Sequence, residues 1–306
     1  MNNLKNTMSR RTFLGATAGL AASAVMPKYT FAEQTAKPNS KFNGVQIGVI
    51  TYSYRSMPGT ADDLLKYLIQ CGISSVELMG GPVEQFAGAP SGGRGGNQKE
   101  LLDWRLSAPM DKFQALRKLY NDAGVNIHIV KFDAIGNTGM SDGEIDYYFN
   151  AAKALGAQGI TRELSEEAAK KLGPIADKHQ IMIGFHNHTQ LTPTTYDGPI
   201  LSHGKYLGIN FDIGHYVAGT NYSPILFIVK YHERILSLHL KDRKINNGPN
   251  LPFGQGDTPV ALVLQHLKRE KLTFPADIEL EYRIPQDSDA VKEVTNCVQF
   301  CKQSLA

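Results

Sequence analysis

The sequence predicts an α/β fold, a single (β/α)8 barrel of the TIM type. Three observations carry that prediction. Eight short apolar, β-rich runs occur in order, and stretches with helical periodicity separate them. No G-x-G-x-x-G follows the first run, where a doubly wound dinucleotide-binding sheet would carry it. Length and composition fit: 306 residues, 42% hydrophobic and 20% charged, allow one large domain.

Three segments are expected: a signal peptide over 1–32, a linker over 33–43 and the barrel over 44–306. Ser9-Arg10-Arg11-Thr12-Phe13-Leu14-Gly15 precedes a small apolar run from Ala16 to Val25, the pattern of a twin-arginine export signal. Thr30-Phe31-Ala32 supplies a small-x-small cleavage pattern. The run is shorter than the ~20 residues a permanent membrane span requires. The expected location is therefore periplasmic or otherwise exported, without a stable membrane span.

The strand candidates are 45–52, 74–79, 126–132, 159–163, 181–186, 208–212, 235–241 and 276–282. Helical candidates between them are 60–70, 109–122, 141–155, 166–178, 224–232 and 259–268; Leu64, Leu65, Leu68 and Ile69 illustrate the spacing. One stretch, 80–104, holds seven glycines and reads as either a disordered insertion or a lid over the barrel mouth. Cys71, Cys297 and Cys301 form no zinc-ribbon pattern and no even disulfide set, so they read as core thiols. A net charge of +3 with scattered Lys and Arg argues against nucleic acid as a partner.

In a barrel of this type, function resides where the strands end. Polar, metal-competent residues recur there: Glu77, then Glu163, then His186-Asn187-His188, Asp212 with His215, His239 with Lys241, and finally Glu279 and Glu281. Taken alone, Asp212 reads as a helix cap and His239 as a core histidine. Together, carboxylates and histidines converging on one barrel mouth would repel or lose charge without a cation. A divalent ion with mixed oxygen and imidazole ligands (Mn²⁺, Co²⁺, Zn²⁺ or Mg²⁺) resolves this.

These segments resemble the sugar phosphate isomerase/epimerase family with its xylose isomerase-like barrel, from about Val45 to the C-terminus. The resemblance implies metal ligation by Asp212, His239 and Glu281, with Glu279 as the register alternative. For the fourth ligand it leaves Glu163 and His186, with Glu163 favoured, because the family's strand-end Glu falls on His186 here. It implies a substrate contact from His215; Glu77, His186 and Lys241 are further substrate-binding candidates by their strand-end positions. The catalytic candidates are Glu163, Glu281, His188, His215 and Lys241.

The implied activity is a metal-dependent sugar isomerase or epimerase, moving a proton next to a carbonyl through an enediolate on a sugar or keto-sugar. A dehydratase or lyase on a keto-glycoside or cyclitol shares every step up to that intermediate, and a non-catalytic sugar-binding protein is a third class. A metal-dependent endonuclease on the same barrel would need a basic groove. The expected partner is a small-molecule sugar, not nucleic acid, and a homo-oligomer is left open. Gly254-Gln255-Gly256-Asp257 reads as a substrate loop or as a turn before the next helix.

Overall fold

The computed structural model describes residues 37–90 and 97–306. The export signal with its cleavage site after Ala32 lies outside the described residues.

Eight parallel strands close into a barrel: β1 Val45–Ile50, β2 Ser75–Met79, β3 Asn126–Lys131, β4 Gly159–Glu163, β5 Met182–His186, β6 Leu207–Asp212, β7 Ile235–Leu240 and β8 Ala276–Ile278. Each pairs with the next, and β8 closes on β1 through Ala276 with Ile47 and Ile278 with Val49. Strands enclosed on both faces are continuous apolar runs, which is why Ile47, Val49, Ile160, Ile183, Phe211 and Leu238 are all buried. Polar residues that interrupt these runs on the inward face make the site.

Among the described residues, ten α-helices clothe the sheet. They are α1 Ala61–Gln70, α2 Gly80–Ala87, α3 Gln98–Ser107, α4 Asp111–Asp122, α5 Asp142–Leu155, α6 Glu166–His179, α7 Ile213–Thr220, α8 Pro224–Tyr231, α9 Val260–Glu270 and α10 Ala290–Ser304. Several of their starts carry side-chain caps. Thr60, Ser141, Ser165 and Asp289 each accept the backbone N–H three residues on. Cys71, Cys297 and Cys301 are buried thiols. Among the described residues no helix is long and apolar enough to cross a membrane.

Three expectations need correction. The proposed linker already belongs to the fold at its end: Lys41–Phe42 pairs antiparallel with Val45–Gln46, and Ser40 is buried. The glycine-rich insertion is not a structureless loop where it is described. It forms α2 and α3, and Arg105 of α3 is pinned by both carboxylate oxygens of Glu84 (2.8 and 3.0 Å) and by Glu144 (3.0 Å). Its most glycine-rich part, 91–96, lies outside the described residues. The last strand is shorter than read. Its ladder stops at Ile278 because the Leu280 N–H turns to Ser53 Oγ at 3.0 Å.

Candidate metal centre and active site

The inward-facing residues form layers, because side chains alternate along each strand and alternate strands contribute to one level. Glu77 on β2, Thr161 on β4 and Asn210 on β6 share one level. Thr161 Oγ1 donates to Glu77 Oε1 (2.5 Å), and Asn210 Nδ2 donates to Glu77 Oε2 (3.3 Å). Two residues further along the same strands stand Glu163 and Asp212, and Glu279 stands two beyond Asp277 of β8. The neighbouring odd strands supply His186 from β5 and His239 from β7.

At this upper level His186, Asp212, His239 and Glu279 converge, all four buried. One ligand atom from each lies within 4.8 Å of every other. The structure thus brings together Asp212 and His239 as the sequence suggested, with His186 in preference to Glu163 and Glu279 in preference to Glu281. Both alternatives follow from geometry. Glu163 leans away toward Lys131 Nζ (3.1 Å) and His188 Nε2 (3.0 Å). Glu281, one more alternation out, reaches Lys241 Nζ at 2.7 Å and stands 3.7 Å from His215 Nε2. Glu163 does belong to a second group with His186 and His188.

The orientation of each ring is fixed from below. Asn210 Nδ2 donates to Ser237 Oγ (2.7 Å) as well as to Glu77, so its Oδ1 must face His186 Nδ1 at 2.7 Å. An amide oxygen only accepts, so Nδ1 carries the proton and Nε2 keeps its lone pair. Burial, with His239 and Lys131 nearby, holds His186 down at about 3, hence neutral. His239 Nε2 meets Glu77 Oε2 at 2.9 Å and Nδ1 meets Glu279 Oε2 at 3.0 Å. Burial opposes its charge, but these two carboxylates outweigh it and raise its pKa well above the ordinary value. Burial likewise pushes Glu77 up, yet His239 and Thr161 bring it down to about 2.

Glu77 was expected to touch substrate. It is instead fully buried beneath His239 and spends its carboxylate on Thr161, Asn210 and His239. Its place is that of an outer partner orienting a ligand. Deeper still, Ser75 Oγ, His128 and Asp277 form a hydrogen-bonded chain of 2.8 and 2.9 Å, and Gly48 leaves room for the Asp277 carboxylate, into which a Cβ would run.

Asp212 has two roles, one per oxygen. Oδ1 accepts the His215 N–H at 2.7 Å as the N-cap of α7. Oδ2 is buried without a hydrogen bond, although Lys241 Nζ lies 2.9 Å away as an ion pair. Burial raises its pKa, and His215 and Lys241 more than reverse this. Lys241 Nζ also lies 3.0 Å from Glu279 Oε2 and 2.9 Å from His215 Nε2. Desolvation disfavours its charge, but Asp212, Glu279 and Glu281 hold it protonated.

One lysine thus faces three carboxylates, and Asp212 Oδ2 has that ion pair but no hydrogen bond. The donor set of two imidazoles and two carboxylates suits a divalent cation, and the excess negative charge gives the cation a reason to bind. The residues fit a metal ion.

Sequence reasoning did not single out Lys131 or Arg243. Lys131 pairs with Glu163 and, at 3.3 Å, with Asp133. Arg243 Nη1 donates to His215 Nδ1 at 2.7 Å, and its Nε and Nη2 are both tied to the Gly248 carbonyl. A guanidinium cannot accept, so His215 Nδ1 is unprotonated. The signal for Arg243 was only its place two residues after Lys241. The 254–257 stretch is a turn wrapped on Asp242, whose carboxylate accepts the N–H groups of Gly254, Gly256 and Thr258 at 2.8, 2.9 and 3.1 Å.

Comparison with known proteins agrees with this architecture. Residues 152–299 match the family described as xylose isomerase-like TIM barrel. No curated protein matches the sequence. Among solved structures, a sugar phosphate isomerase/epimerase from Parabacteroides distasonis is 17% identical with a TM-score of 0.59, covering 84% of this chain and 93% of that one. A 3-keto-D-glucoside 4-epimerase from E. coli is 12% identical with a TM-score of 0.59, covering 85% and 99%. A probable 3-DHS dehydratase from Bacillus anthracis is 12% identical with a TM-score of 0.62, covering 83% and 98%. At these identities the likeness concerns the fold. The matched segment, residues 152–299, is thus similar to that family, and the chain as a whole has the (β/α)8 TIM-barrel fold.

Proposed function

We propose that the protein is a divalent-metal-dependent isomerase or epimerase of a small sugar or keto-sugar, with His186, Asp212, His239 and Glu279 as the metal ligands. The observation that carries this reading is the placing of acid–base groups around those four residues. Glu163 stands at the end of β4 and Glu281 beyond β8, four strands apart in a barrel of eight. Each has its own cationic neighbours: Lys131 and His188 for Glu163, Lys241 for Glu281.

His186 Nε2 and His239 Nδ1 are the ligating nitrogens, since Asn210 and Glu77 occupy the other nitrogen of each ring. A divalent ion held there supplies the positive charge that stabilises an oxyanion developing on the substrate. The protein's own groups move the proton. A carboxylate on one side takes it from the carbon next to the carbonyl, and the electron pair passes to the carbonyl oxygen. An acid on the other side, Lys241 or His215 beside Glu281, delivers a proton to carbon. Delivery to the opposite face inverts a centre, and delivery to the adjacent carbon moves the carbonyl.

A second reading, a dehydratase or lyase, rests on His188. Its hydrogen bond to Glu163 raises its pKa, which makes it a proton donor for a departing hydroxyl oxygen beside the same centre. Incubation of metal-loaded protein with keto-sugars in D2O, followed by ¹H NMR, separates these readings. Metal-dependent loss of a carbon-bound proton signal with carbon skeleton and oxygens retained is expected. Loss of water or of a glycosidic group selects the lyase. No exchange with any hydroxy-ketone, with metal present, contradicts both.

Export by a twin-arginine signal belongs to the same proposal and rests on Arg10-Arg11 and the run after them. A secreted form whose first residue is Glu33 is the expected product, and retention of residues 1–32 in that form contradicts it.

A further inference from the structure

A pocket of about 370 Å³ lies beside the centre, between the segment after β1 and the segment after β8. Arg55, Ser56, Glu281 and Arg283 are among its lining residues. We propose that this pocket is an anion subsite, taking a carboxylate or phosphate carried by the substrate at the end away from the reacting carbonyl. The inference rests on the reading of the neighbouring centre as a sugar-transforming site.

The two arginines are the basis for this. Arg55 is anchored on one side: Nη1 donates to the Leu280 carbonyl at 2.6 Å and to the Tyr52 carbonyl at 3.2 Å, and its guanidinium lies 4.5 Å over the Tyr52 ring. That anchoring uses one nitrogen and leaves the rest of a planar fork, the shape that pairs with carboxylate or phosphate. Arg283 is exposed and has no acidic partner among the described residues. An arginine without a carboxylate, at the rim of a pocket that already holds a second arginine, leaves net positive charge there.

The one acidic group in the lining, Glu281, does not neutralise them, because its Oε2 is turned to Lys241 Nζ at 2.7 Å. That same contact sets the pocket's distance from the chemistry. Glu281 forms the pocket's wall and Lys241 touches Asp212 and Glu279, so a ligand spanning both is one small molecule long. Loops that follow the first and last strands are where a barrel of this kind presents groups to its substrate.

The test uses the full-length, metal-loaded protein and titration calorimetry with inorganic phosphate, with acetate, and with fructose as the neutral control. Arg55→Gln and Arg283→Gln are expected to weaken binding of the preferred anion by about tenfold or more each, the scale of a charged hydrogen bond. Metal content and fructose binding stay unchanged. A preference for phosphate points to phosphorylated substrates and a preference for acetate to sugar acids. Equal anion binding by wild type and both variants overturns the subsite, as does the absence of any anion binding by wild type. Binding that chelation abolishes and the substitutions do not touch overturns it too, since the anion is then on the metal. Proton exchange in neutral keto-sugars does not depend on these arginines, so its failure counts against the reading of the centre alone.

Discussion

Asp212→Asn is expected to abolish metal binding and turnover while leaving the barrel folded. The two oxygens of Asp212 make this separation possible. Oδ1 caps α7 through the His215 N–H, and Asn caps a helix about as well as Asp. Oδ2 has no hydrogen bond and faces Lys241 in the middle of the four-residue group. The substitution therefore removes charge from the centre without removing the cap. Loss of an outer partner of a metal ligand costs roughly 10–100-fold in affinity, so loss of a ligand's charge is expected to cost at least that much. Metal analysis after dialysis, beside a thermal unfolding curve, reads both effects. Asp212→Ala should show the same metal loss plus a stability loss of about 1 kcal/mol from the missing cap. Full metal retention in Asp212→Asn contradicts the assignment.

Glu163→Gln is expected to do the reverse, keeping the metal and losing the reaction. Its carboxylate lies outside the group of four and is shared between Lys131 and His188. Burial raises its pKa, but His188 and Lys131 carry it well below the usual carboxylate range, so it is ionised at any working pH. As the proton-transferring carboxylate on the β4 side, its removal is expected to lower turnover by about 10²–10⁴-fold, the usual worth of a positioned acid or base. Steady-state rates, metal content and deuterium exchange on the same sample decide the matter. An unchanged rate removes Glu163 from the chemistry. Lost metal with the rate falling in proportion makes it a ligand instead.

The barrel is legible in the sequence because strands buried on both faces read as apolar runs, and most of them are followed by a stretch of helical periodicity. The ends are less legible. Strand β8 reads four residues longer than it is, since nothing in Glu279-Leu280-Glu281-Tyr282 announces that Ser53 takes the Leu280 N–H. The choice between Glu279 and Glu281 has the same origin. Alternation puts both on one face, and only depth separates them: both reach Lys241, but Glu279 alone reaches His239.

His186 was a candidate beside Glu163, and what selects it is Asn210, an unremarkable strand residue two places before Asp212. Glu77 shows the converse. Its type and strand-end position suggest substrate contact, but the neighbouring strands bring Thr161, Asn210 and His239 over it. Long-range partners of this kind, such as Arg243 for His215, depend on loop paths that periodicity does not encode.

One divalent ion is expected among His186, Asp212, His239 and Glu279. Crystals of the full-length protein grown with Mn²⁺, Co²⁺ or Zn²⁺ test it through an anomalous difference map collected at the metal's absorption edge. A single strong peak enclosed by those four side chains is expected, with Glu163 and Glu281 outside its ligand shell. A peak among Glu163, His186 and His188, or no peak in the barrel with any of the three metals, would contradict it.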